Sequence, residues 1–157
     1  MSDRALREHV AALIGWEDAH AGLDRTVDGI PPDQWGQKAA ALPYTLWELL
    51  EHIRITQYDI LDFCRNPGYT QPRWPEDYWP EKSVRPTTDT VAKSLASFRE
   101  DRKALTRMAL DETVDLFAPI PHGTGQTCLR ELLLVADHTS YHLGQMVAVR
   151  RALGIWE

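Results

Sequence analysis

The sequence predicts an all-α chain, a four-helix bundle with long loops between its second and third helices and between its third and fourth. Two observations lead there: four stretches repeat apolar residues at the spacing of an amphipathic helix, and the breaks between them collect proline and glycine. A third is negative, since no stretch alternates β-branched and polar residues as a half-buried strand would, and no segment repeats another. At 157 residues the chain reads as a single domain over 1–157, long enough to close one core.

The first helix is expected to start at Ser2 or Asp3 as cap and to run to about Val27, with Leu6, Val10, Leu13, Ile14, Ala21 and Leu23 as its apolar stripe and Gly29-Ile30-Pro31-Pro32 as its stop. The second starts at Thr45, where Glu48 three residues on completes a capping box, and carries Leu46, Leu49, Ile53, Ile60 and Phe63 to about Arg65. Residues 67–86 hold five of the ten prolines, so they form a long connection instead of an element. The third helix spans about Thr88 to Leu110, with Val91, Leu95, Phe98 and Leu105 inward, and a second loop follows over 111–126. Thr127 then caps the fourth, whose buried side is Leu129, Leu132, Val135, Leu143, Met146 and Leu153. Gly144 inside it costs about 1 kcal/mol relative to alanine, which suggests close approach of another helix.

Composition removes several classes of function. Apolar residues at 43% beside 25% charged ones fit a globular protein, and a net charge of −6 offers no broad cationic surface for nucleic acid. No stretch approaches the roughly 18 apolar residues of a membrane span, and the charged start MSDRALREHV lacks a signal peptide's apolar core, so a cytoplasmic location is expected. Cys64 and Cys128 match no metal-knuckle spacing and read as reduced, mostly buried thiols.

Histidines carry what chemistry the residues suggest. His138 and His142 lie four apart on the fourth helix, so both rings can reach one ion, and His52 sits at the equivalent edge of the apolar stripe on the second. Edge positions on adjacent helices converge where bundles build metal sites. On the residues alone, a half-buried ring satisfied by one hydrogen bond competes for each, and for His9 and His20 it is the better reading. The residue after His138 is Thr139, not the glutamate of a helical zinc protease, so peptidase activity is not indicated.

HTSYHLGQMVAVRRALGIW at 138–156, with the lone histidine of TLWELLEHI at 45–53, resembles the DinB-like (YfiT-like) metal-binding four-helix-bundle family, and the order of helices and loops is similar along the whole chain. The resemblance implies that His52, His138 and His142 hold zinc, nickel or a similar divalent ion. Related bundles include mycothiol-dependent maleylpyruvate isomerase and bacillithiol S-transferases, which implies a low-molecular-weight thiol as co-substrate and small electrophiles as targets. In isomerase-type domains a glutamate stands where His138 stands here, which counts against that activity in particular. The resemblance also implies a homodimer.

Three histidines leave a tetrahedral ion one open position, which suits thiol transfer or hydrolysis equally. A non-enzymatic, stress-related dimeric bundle with a structural or vestigial metal is the alternative. Glu48, Asp59 and Glu131 share the histidines' helix edges and are candidates to accept the rings' second N–H. Trp74, Tyr78 and Trp79 are candidates to wall the site and His122 to relay a proton, while Tyr141 is expected to point away from the histidines into packing or a partner contact.

Overall fold

The computed structural model describes residues 3–157 and is helical, with no strand among them. The helices are α1 (Arg4–Leu13), α2 (Leu23–Val27), α3 (Leu46–Arg65), α4 (Thr88–Leu110) and α5 (Cys128–Ala152). α1, α3, α4 and α5 form the bundle, with α3 packed between α4 and α5 and α1 lying mainly on α4.

α3 and α5 run antiparallel, so their opposite ends share two apolar clusters. One joins Leu46 through Ile53 of α3 to Leu143, Met146 and Val149 of α5, with Phe98 of α4. The other joins Ile60 and Leu61 to Cys128, Leu132 and Val135, with Leu105 and Ala109. Local signals set the ends of α3 as expected. Thr45 accepts from the Glu48 amide at 3.1 Å while Glu48 accepts from the Thr45 amide at 2.8 Å, so two of the helix's unpaired donors are satisfied reciprocally. α4 starts with the same reciprocal box between Thr87 and Thr90, whereas at α5 Thr127 accepts from the Arg130 amide without a return bond. Leu95, Leu129 and Leu153 are half-buried, a shallower position than their place in the stripe suggests.

The first helix is shorter than the sequence pattern predicts. It stops at Leu13, the chain turns through residues 14–22, and the short α2 follows. Ile14 is buried, but the positions three and four beyond it, where the stripe should continue, are the exposed Glu17 and Asp18. A continuous helix would carry those charges onto the core side, so the chain turns away instead, and Gly22 leaves room for the Glu17 side chain folded against it. Leu23 is still 1% exposed, because α2 lays it against the core from its own direction. Ser2 lies outside the described residues, and Asp3 makes no side-chain cap; its carboxylate accepts from Arg7 at 2.9 Å.

Polar side chains staple the irregular parts. Asp59 accepts from the hydroxyls of Tyr69 at 2.7 Å and Tyr78 at 2.8 Å, fixing the proline-rich loop to α3. Arg150, buried in α5, donates to the carbonyls of Thr26 and Ile155 and so holds α2 and the C-terminal turn. Gly144 is exposed with open space around the position of a Cβ, so no helix of this chain approaches it closely.

Arg7 does the equivalent work for α1. Its buried guanidinium donates to the carbonyls of Ala109, Asp111 and Val114, where α4 gives way to the second loop. Arg7→Met keeps the stem and strands those acceptors, and is expected to cost about 2–3 kcal/mol in urea unfolding. Lys103→Met, at an exposed pair with Glu100, should leave the midpoint unchanged. A loss below about 1 kcal/mol for Arg7→Met would mean that water satisfies the carbonyls as well as the guanidinium does.

Candidate metal centre

His52, His138 and His142 meet between α3 and α5, each offering a ring nitrogen within 4.8 Å of the others. His52 and His142 are buried and His138 is half-buried, so the cluster faces outward on the His138 side. The backbone dictates this much: His138 and His142 share a face one turn apart, and antiparallel packing brings the middle of α3 opposite them.

Hydrogen bonds decide which nitrogens face the centre. Nδ1 of His52 donates to the carbonyl of Tyr78 at 2.8 Å, which places the proton there and leaves Nε2 with its lone pair. Nδ1 of His142 donates to the side-chain oxygen of Gln145 at 2.8 Å, with the same result, and Gln145 in turn donates to the Tyr141 hydroxyl at 3.2 Å. Nε2 of His138 lies 3.1 Å from Nε2 of His52. A tetrahedral ion with bonds of about 2.0–2.1 Å holds its ligands roughly 3.3 Å apart, so the closest pair is spaced as a shared ion requires. The all-imidazole donor set fits a borderline divalent transition-metal ion.

Burial pushes all three imidazoles toward the neutral state. Desolvation, joined by the neighbouring His142 and His52, lowers His138 to about 3. Desolvation also lowers His52, against its Tyr78 bond, and His142, against its Gln145 bond. Neutral rings are the form that binds metal, so the folded chain presents its ligands already deprotonated.

Aromatic rings pack around the cluster. Trp79 lies flat on His52, with ring centroids 4.0 Å apart and planes 3° from parallel, and Tyr44 stacks on Trp79 at 4.5 Å. Tyr141 meets His142 edge-on at 4.9 Å while remaining 64% exposed. It therefore borders the cluster, contrary to the expectation that it turns away.

The other expected site residues are distributed unevenly. Trp79 is at the centre, and Tyr78 contributes its backbone carbonyl, not its ring. Trp74 is exposed and touches Tyr78 instead of any histidine. Glu48 is consumed by the helix cap. Asp59 reaches His52 only through Tyr78, whose hydroxyl it holds. Glu131 is buried but pairs with Arg130 at 2.6 Å, about two turns before His138. His122 donates to the Phe63 carbonyl at 2.7 Å and pins the second loop, with no contact to the cluster. His9 and His20 are exposed, not half-buried. The expectation missed Gln145, although a polar side chain three residues after a ligand shares its helix face; it also missed Tyr44 and the Tyr78 carbonyl, which carry no local signal.

The model of the DinB superfamily matches residues 16–146, which include all three histidines and most of the chain. The protein belongs to the DinB superfamily. No curated protein and no solved structure matches the chain. No helix is long and apolar enough to cross a membrane among the described residues.

An imidazole held below its usual 6.5 in the folded chain takes up a proton on unfolding wherever the pH lies between the two values. In chelator-treated protein the stability these rings contribute is therefore complete above about pH 6.5 and is lost as pH falls toward the folded values, at about 1.4 kcal/mol per pH unit for each proton gained. Urea midpoints measured from about pH 7 to 5 should fall more steeply for the native chain than for His138→Asn. Equal slopes would show that His138 is not held neutral by its surroundings.

Proposed function

We propose that the protein is a divalent-metal-dependent enzyme in which His52, His138 and His142 hold zinc or nickel and the open position serves transfer of a low-molecular-weight thiol to small electrophiles. The observation that supports this most directly is the fixing of two tautomers: Tyr78 and Gln145 each take an Nδ1 proton, so that two Nε2 lone pairs face the centre, with Nε2 of His138 beside that of His52. A bound divalent ion would lower the pKa of a thiol or water at its open position. Trp79 and Tyr44 supply an apolar wall on the His52 side that excludes water. Tyr141, accepting from Gln145 through its oxygen, keeps its own proton to donate to a group arriving beside His142.

The same cluster joins α3 to α5, which favours one competing reading: an ion that ties the two helices and does no chemistry. Loss of thiol transfer without loss of folding on chelation would support the enzyme. Unfolding on chelation, with no thiol or ester substrate turned over, would establish the tie.

Elemental analysis of untagged protein is expected to give about one ion per chain, and His52→Ala or His142→Ala to abolish it. Gln145→Leu, which leaves every ligand in place and frees the His142 tautomer, should weaken metal binding about 10–100-fold. Substoichiometric metal in the native chain, or occupancy unchanged in both alanine variants, would sink the proposal.

A further inference from the structure

A second pair of reactive side chains lies about 18 Å along α3 from His52. Cys64 is in the last turn of α3 and Cys128 is the first residue of α5. Because the two helices run antiparallel, those ends meet. Both side chains pack into the apolar cluster with Leu61 and Leu132, and each thiol shifts the acidity of the other. Neither is in a disulfide; Cys128 is buried, while Cys64 keeps an edge toward solvent. Nothing in the metal centre uses them.

We propose that Cys64 and Cys128 form a reversible dithiol–disulfide site, oxidised by small hydroperoxides, which ties the end of α3 covalently to the start of α5. The two cysteines differ in the way such a pair requires. Cys128 sits in the first turn of a 25-residue helix, where unpaired N–H groups favour an anion, and Cys64 packs in the same cluster. The Cys128 thiol is accordingly held below the ordinary value, by the neighbouring Cys64 thiol first, against burial and the nearby Glu131 and Asp115. Cys64 is pushed up by the neighbouring Cys128 and by burial, so it keeps its proton until a partner sulfur is ready.

The Cys128 thiolate attacks one peroxide oxygen. The O–O bond breaks, the sulfur becomes a sulfenic acid, and the departing oxide takes a proton from solvent to leave as water or alcohol. The Cys64 sulfur then attacks Sγ of Cys128. The S–S bond forms as the S–O bond breaks, and hydroxide leaves with the Cys64 proton as a second water. Two thiols lose two protons and two electrons, and the peroxide gains them.

The test treats the full-length, reduced protein with a modest excess of hydrogen peroxide, followed by thiol counting in denaturant, intact mass and a non-reducing gel. The expected result is loss of both thiols and of two hydrogen atoms in a chain that stays monomeric on the gel, with a Cys64–Cys128 linked peptide that a dithiol reductant reverses. Closing so long a loop should raise the melting temperature by about 5–10 °C. Cys64→Ser should instead gain oxygen at Cys128 with no rise, and Cys128→Ser should slow oxidation of Cys64. His52→Ala should oxidise like the native chain, since the proposal does not rest on the metal reading. Thiols that survive peroxide, over-oxidation of either cysteine in the native chain, or disulfides only between chains would overturn it.

Discussion

Three imidazoles are packed between α3 and α5 with no carboxylate in their cluster, and rings so placed are comfortable only when neutral. Much of the structure follows from meeting that condition. A neutral imidazole still has one N–H to satisfy, and for two of the rings the chain provides an acceptor on the side away from the centre, the Tyr78 carbonyl for His52 and Gln145 for His142. Those acceptors are worth having only if they stay in place. The proline-rich loop that carries Tyr78 is therefore anchored twice to Asp59, and its next residue, Trp79, is stacked on the His52 ring. A loop with little regular structure thus becomes part of the wall.

The rest of the bundle keeps α3 and α5 in register. Thr45 and Glu48 fix where α3 begins, and hence which residue stands opposite His138 and His142. The two apolar clusters, one on each side along the helix pair, hold that register from both directions. The early end of α1 leaves a gap that α2, Trp35 and the C-terminal turn fill, with Arg150 satisfying carbonyls that no helix hydrogen bond reaches. Arg7 and Arg150 illustrate one solution: a guanidinium has donors enough to bind several backbone carbonyls at once where chain segments end.

The two reactive clusters lie apart on the helix pair's shared surface, the histidines near its middle and the cysteines at one end, and obey different rules. The histidines are held neutral and convergent, ready for a cation, while the cysteines are held unequal, one favouring the thiolate and one the thiol. Membership of the DinB superfamily accounts for the bundle, and the thiol pair is read from this chain's own residues.

The positions of α3, α4 and α5, the Thr45 and Thr127 caps and the pairing of His138 with His142 were open to inspection in the sequence, because each depends on residues within a turn or two of one another. His52, 86 residues before His138, could be placed only by its edge of α3 and the family resemblance. The same local pattern misjudged the first helix, where weight on Ala21 and Leu23 obscured the charges at 17 and 18. It also misassigned the partners of the rings. Glu48, Asp59 and Glu131 share the right helix edge, yet each is claimed by something else: a cap, a pair of tyrosines, an arginine. The Tyr78 carbonyl comes from a residue 26 positions away, on a loop whose path is set by contacts with the finished bundle. Every residue carries a carbonyl, so no residue type advertises which one will serve. Periodicity could bring the histidines to one side of two helices; only the folded chain could choose their tautomers, cover one face with Trp79 and leave the other open.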